Sequence, residues 1–371
     1  MSVDSILDIG LFVAILMFLV LVHELGHLVV AKWSGMKVER FSIFFGRPIT
    51  SFQRGETEYG IGWLPLGGYV KITGMTRSED VPPEDEARTY YNATTGRRIA
   101  TILAGPAVNI VVAFIAFAAI AWIGTPNFSL ANEVAAVTTS VDGEPTPAAQ
   151  LGLEPGDRLI SVNNVRAEPG IVEGIRYQIQ ENVGTTIEVV YERDGEQLTG
   201  AVAPVVINEE LGRGQLGFTF AQIPEEGRTN LGPIDGLDFG WDRMVLLTEA
   251  YGDLFKRLIF EEEARQQVNS VVGAGAIFDV VADDGLITII AFLGAISFAL
   301  GVFNLLPILP LDGGHIVIAL TERIMGKPLP GKVYERIALF GIILVVLAFL
   351  YILQNDIELI RGGNIAEELG R

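Results

Sequence analysis

At 371 residues, half of them apolar and with a mean hydropathy of +0.40, the chain is too apolar for an ordinary soluble enzyme. Its net charge of −19, from 26 basic and 45 acidic residues, argues against nucleic acid as a partner. It contains no cysteine, so no disulfide framework holds it, which fits a bacterial or archaeal envelope.

Residues 1–31 read as a first membrane span. The segment has no basic start and no small-residue cleavage site, and it is long for a leader, so a span is expected rather than a signal peptide. Within it lies His23-Glu-Leu-Gly-His27. On a helix, positions i and i+4 share a face, so both imidazoles can reach one metal while Glu24 stands beside a bound water. The chain has only three histidines, and two of them form this pair. A charged group at the centre of a bilayer costs about 2.5–3.5 kcal/mol, so ionisable residues there are expected to carry function.

Residues 32–98 hold ten basic and eight acidic residues, 10 − 8 = +2, and residues 99–123 form a second span. Strands are expected around 48–72, broken at Arg54-Gly55, followed by a polar loop at 77–91. Residues 124–285 hold ten basic and 27 acidic residues, 10 − 27 = −17. The positive-inside rule therefore places both termini and the acidic region outside the cytoplasm, and 32–98 inside. Within the acidic region, residues 132–206 read as an α+β domain. Its β-branched runs fall at 134–139, 158–162, 186–191 and 198–202, and its helices at 148–151 and 170–180. Residues 235–260 form an amphipathic helix that could lie on the outer membrane face or pack against the external domain.

A third transmembrane segment, 286–320, contains Asn304-Leu-Leu-Pro-Ile-Leu-Pro-Leu-Asp-Gly-Gly-His315, and residues 337–353 form a fourth span. Catalytic zinc wants three protein ligands and one open position, so His23 and His27 leave one ligand to find. Asp312 is the best candidate: it sits at membrane depth on the same side as His27, next to a helix broken by Pro307 and Pro310. Glu24 would then act as general base towards the metal-polarised water. His315, three residues on, could touch this site, more readily as a hydrogen-bonding partner than as a ligand. Asn109 in the second span could pack against the first or act in the site.

These motifs together resemble the site-2 protease family of intramembrane metalloproteases, most closely its bacterial RseP type. The matching pieces are HELGH in the first span, Leu64-Pro-Leu-Gly-Gly-Tyr-Val-Lys71, Ala104-Gly-Pro-Ala-Val-Asn109 and the Asn304…Asp312-Gly-Gly stretch. A PDZ-like run, Pro147-Ala-Ala-Gln-Leu-Gly-Leu-Glu-Pro-Gly-Asp-Arg-Leu-Ile-Ser-Val-Asn163, completes them. The resemblance implies a polytopic α-helical membrane protein of about four transmembrane helices. It would carry a membrane-associated β-hairpin loop and one inserted extracytoplasmic PDZ-like domain. It also implies one catalytic zinc on His23, His27 and Asp312, Glu24 as catalytic base, and substrate contacts at Asn304 and on the Gly67-Gly68-Tyr69 strand edge. Asn304 could equally cap its helix. Implied substrates are single-pass membrane proteins, such as an anti-sigma factor trimmed by an upstream site-1-type protease, or remnant signal peptides. Two other readings compete: an inactive PDZ membrane adaptor with a structural metal site, and a zinc transporter. A structural zinc needs no general base, and transport would require more intramembrane ligands than this chain offers.

Overall fold

The computed structural model describes residues 3–141, 144–167, 172–206, 214–260, 274–275, 278, 282 and 285–362. The chain divides into two units. The first comprises Met1–Ile123 and Leu231–Ile365, and the second is inserted between them as Gly124–Asn230.

In the first unit, α1 spans Val3–Trp33, 31 residues or roughly 46 Å, longer than the ~30 Å of a hydrocarbon core. It ends in a Schellman motif: Met36 N–H reaches the Ala31 carbonyl, Gly35 N–H reaches that of Lys32, and Gly35 has φ 80°. Two long strands follow, β1 (Val38–Arg54) and β2 (Thr57–Ile72). They start ten residues earlier than the sequence suggests and fold over one another. Residues 38–43 are flanked by both halves of β2, Phe41 pairing with Val70 on one side and Tyr59 on the other. The remainder of β1 closes the tip, with Arg54 opposite Thr57. Residues 68–72 therefore form an outer edge with no second strand partner among the described residues.

The central element is α2 (Thr95–Ile123), which carries Pro106 and packs against every other long helix of the unit except the last. Among the described residues, four helices are long and apolar enough to cross a membrane: Leu7–Trp33, Thr95–Ile123, Leu286–Asn304 and Gly331–Gln354.

The second unit is a six-stranded antiparallel sheet. Its strands are β3 (Thr125–Val137), β6 (Arg158–Val162), β7 (Val165–Arg166), β8 (Ile187–Arg193), β9 (Glu196–Val202) and β10 (Phe218–Thr229). The order is β10-β3-β6-β8-β9, with β7 on β6. A ribbon of β4 (Ser140–Val141) and β5 (Glu144–Pro145) and two short helices, α3 (Pro147–Gln150) and α4 (Glu173–Glu181), complete it. Leu159, Val162, Ile175, Ile187, Val189 and Leu216 fill its core. The sequence-derived limits of 132–206 are too narrow, because β10 pairs with the full length of β3 and both reach beyond them. Of the helix expected at 170–180, residues 170–171 lie outside the described residues. Asp157 is buried at the turn before β6, where it accepts from the Glu154 N–H at 2.8 Å and from two nitrogens of Arg193 at 2.7 Å.

Back in the first unit, α5 (Pro233–Phe260) groups with the long helices and not with the inserted unit, while Ile234, Trp241, Leu246 and Phe260 stay exposed. It runs beside α2, with Gly240 against Phe114 and Ala118, and Tyr251 reaching Phe298 and Phe303. Glycine at 240 brings the helix backbones together, and the aromatic side of the amphipathic pattern then faces other helices. The segment expected as one span at 286–320 is two helices, α6 (Leu286–Asn304) and α7 (Asp312–Met325). Pro307 and Pro310 fall in the break between them, where a continuous helix would lose two backbone donors. The last helix, α8 (Gly331–Gly362), leaves most of its apolar stretch unpacked, as a lipid-facing span does.

Candidate metal centre

The site forms where α1 crosses α2 and the start of α7 arrives beside them. A Cβ on Gly26 would collide with the Ala104 carbonyl at 2.5 Å, so glycine sets the approach of α1 to α2. His23 and His27 project there from successive turns of α1, each only 7% exposed. On α2, Gly105 faces both rings. A Cβ at that position would stand 2.6 Å from His27 Cε1 and 2.9 Å from His23 Cε1, and closer still to His27 Nε2. On the third side Asp312 opens α7 at its first turn. The chain folds back so tightly there that side chains at Gly313 or Gly314 would strike the backbone of 305–309.

These constraints bring three donor atoms together. His23 Nε2 and His27 Nε2 are 3.2 Å apart, and Asp312 Oδ2 lies 3.2 Å from the first and 3.4 Å from the second. Donors held at 2.0–2.1 Å around a tetrahedral zinc are separated by about 3.3–3.4 Å, so the triangle has the edge length of that polyhedron. Asp312 Oδ2 is buried and makes no hydrogen bond among the described residues, an expensive state for a carboxylate with no cation to face. The set fits a metal ion, and no other group of three such side chains among the described residues does.

The outer atoms of the histidines are held as ligands require. His27 Nδ1 donates to the Thr101 carbonyl at 2.8 Å, which directs the lone pair of Nε2 inwards. Asn109 Nδ2 lies 3.3 Å from His23 Nδ1, while its Oδ1 is buried without a partner among the described residues. Exchanging the two ends of that amide lets Oδ1 accept from the His23 Nδ1–H, satisfies the orphan oxygen and frees Nε2.

Glu24 is half-buried one position along from His23, within electrostatic reach of His23, His27 and Asp312. Its Cγ lies where a Cβ on Gly68 would come within 3.2 Å, so the free edge of β2 runs directly past it. Gly67 has φ 99°, and the ring of Tyr69 stacks on Phe45 at 5.6 Å, away from the metal-binding atoms. Asn304 is not drawn into the cluster, since its Nδ2 donates to Leu300 O at 2.9 Å within its own helix. His315 is likewise outside the triangle, its Nδ1 3.4 Å from the Tyr334 hydroxyl.

Four residues contribute in ways the sequence does not announce. Thr101 acts through a backbone oxygen, which its side chain does not announce. Gly105 acts by the side chain it lacks. Arg98 and Glu322, a part-buried pair at 2.7 Å, tie α2 to α7 across 224 positions of the chain.

An HExxH helix, a third acidic donor from a distant helix break and four apolar helices define a membrane metallopeptidase. Residues 11–348 match the profile of peptidase family M50, and the chain belongs to that family, the site-2 proteases. Among its relatives is a putative zinc metalloprotease of Brucella suis, 29% identical over 93% of this chain and 94% of the relative. The zinc metalloprotease Rip1 of Mycobacterium bovis is 32% identical over 88% of each chain, and Rip1 of Mycobacterium tuberculosis 31% over the same shares. Among solved structures, the PDZ domain of an SdrC-like protein from Listeria monocytogenes is 18% identical. It covers 24% of this chain and 87% of its own, with a TM-score of 0.21.

Proposed function

We propose that the chain is a zinc endopeptidase that hydrolyses peptide bonds inside the membrane-spanning segments of single-pass proteins. The observation that carries this reading is the triangle of His23 Nε2, His27 Nε2 and Asp312 Oδ2, set among helices apolar enough to lie in a bilayer. His23, His27 and Asp312 would hold zinc, which when bound supplies Lewis acidity towards the scissile carbonyl and an acidified water. Glu24 takes a proton from the attacking water and passes it to the leaving amine nitrogen. A helical substrate shields its peptide bonds with its own hydrogen bonds, so it must unwind before hydrolysis. The edge at Gly67, Gly68 and Tyr69 offers backbone partners for such an extended strand beside Glu24. Asn304, released from Leu300, would hold the far side of the substrate backbone.

In this reading the hairpin faces the cytoplasm, and the termini and the PDZ-like unit lie outside, as the +2 and −17 loop charges favour. The outer unit selects substrates ahead of the cut, and its acidity disfavours acidic tails. Substrates are remnants left by an upstream protease, such as trimmed anti-sigma factors or signal peptides. An inactive adaptor with a structural metal is supported less, because a closed site takes a fourth protein ligand and the described residues supply three.

The test pairs purified wild type with Glu24→Gln, reading zinc per chain together with cleavage of a model transmembrane segment. Zinc in both and cleavage at least roughly 100-fold slower in the variant is the expected result. Retained turnover would remove Glu24 from the chemistry, and zinc in neither protein would undo the assignment.

A further inference from the structure

At the N-terminal end of α2, an open cleft of about 590 Å³ lies between that helix's first turn and the C-terminal end of α7. Arg77, Arg98, Arg323 and Lys327 line it against one acid, Glu322, so its walls carry 4 − 1 = +3. Arg77, Arg323 and Lys327 are exposed and form no ion pair among the described residues. Arg77 is stacked on the Tyr91 ring at 4.7 Å, which holds its plane and leaves its N–H edge free.

Arg98 differs from these three. It is 8% exposed, lies over the Tyr90 ring at 4.9 Å and gives one nitrogen to Glu322 at 2.7 Å, and its Nε has no acceptor among the described residues. That nitrogen is enclosed by the protein, so what Arg98 brings to the cleft is its charge beside Glu322. The first turn of α2 adds further donors. The Thr94 carbonyl already accepts from Arg98 N at 3.0 Å, and no described side chain caps the amides of Thr95, Gly96 or Arg97. Together a helix N-terminus and a surplus of three positive charges border one volume.

We propose that this cleft is a binding site for a phosphoryl anion. Arginine forks and helix amides match a tetrahedral oxyanion, and the cleft opens where the apolar helix α2 begins, at headgroup depth for a span. The shared chemistry is a phosphate ester, presented by an anionic phospholipid or free in solution. An occupant would also touch the Arg98–Glu322 pair, and through it the helix that begins with Asp312.

The experiment uses the intact chain in detergent, titrated with phosphatidylglycerol or phosphatidylcholine and read by native mass spectrometry, and separately with inorganic phosphate, read by thermal shift. Arg323→Gln with Lys327→Gln removes two exposed cations of the cleft. Lys332→Gln with Arg336→Gln removes two exposed cations outside it. Phosphatidylglycerol should bind in clear preference to phosphatidylcholine. The cleft pair should weaken it roughly three- to tenfold, and the control pair should leave it unchanged. Stabilisation by inorganic phosphate that the cleft pair abolishes, without lipid preference, would support the site and identify a soluble ester as its source. Equal retention of both lipids with no phosphate effect would overturn the proposal, as would equal losses from the two variant pairs.

Discussion

Replacing Gly105 by alanine tests the geometry of the metal centre without touching a donor atom. The added methyl would stand 2.6 Å from His27 Cε1 and 2.9 Å from His23 Cε1, against ordinary carbon contacts of roughly 3.5–4.0 Å. Neither ring can retreat easily, because His27 is tied to the Thr101 carbonyl and both rings are buried. Overpacking of this kind costs about 1–3 kcal/mol, and here it falls on the separation of the imidazoles. Zinc affinity should therefore drop about 5- to 150-fold, while the helices, packed over their whole length, persist. Competition against a chromophoric chelator measures the affinity, and circular dichroism checks the helices. Gly10→Ala is the control, because a Cβ there meets nothing within 4 Å and alanine favours the helix. Wild-type zinc affinity in the Gly105 variant would refute the claim that this glycine makes room for the metal.

Two further perturbations separate support from chemistry. Asn109→Ala removes the partner of His23 Nδ1 and should weaken zinc binding about 10- to 100-fold, with Glu24 still able to turn over the loaded enzyme. An unchanged affinity would leave Asn109 as a packing residue. In the inserted unit, burial alone would raise the Asp157 carboxyl, but the Arg193 guanidinium and the Glu154 amide outweigh it and hold it below the usual carboxylate range. Because the folded value is the lower one, this interaction contributes fully above the unfolded value of about 4 and is lost as pH falls below it. Asp157→Asn should cost about 1.5–3 kcal/mol at pH 7, seen as roughly 10- to 150-fold faster hydrogen exchange at Leu159 and Val189 in the intact chain. The difference should shrink towards pH 2, and a gap that stays constant with pH would refute the assignment.

What the sequence makes legible follows from what a bilayer forbids. Apolar runs of span length are few, and ionisable residues inside them need a reason, so His23, Glu24, His27 and Asp312 stand out from the amino-acid order alone. Strand β6 falls on the expected residues 158–162 because its alternation is bounded by Gly156 on one side and Asn163-Asn164 on the other. Long-range pairing is less visible. The paired ends of β3 and β10 lie 218 − 137 = 81 and 229 − 125 = 104 residues apart in the chain, and only their mutual hydrogen bonds make them strands. The same holds for Arg98 and Glu322, 224 positions apart, each an ordinary charge until α7 folds back onto α2. The packing of α5 also escaped, since an amphipathic pattern records that one side is covered without recording by what.

The split origin of the metal site has a consequence for how the protein is made. His27 leaves the ribosome 312 − 27 = 285 residues before Asp312. At about 5–20 residues per second, that is roughly 15–60 s in which the HExxH helix exists without its third donor. During that interval the inserted unit is synthesised whole, and chains abandoned before α7 carry two of the three proposed metal donors. In the proposed assignment, a nascent chain gains its full set of metal donors only once α7 has been made.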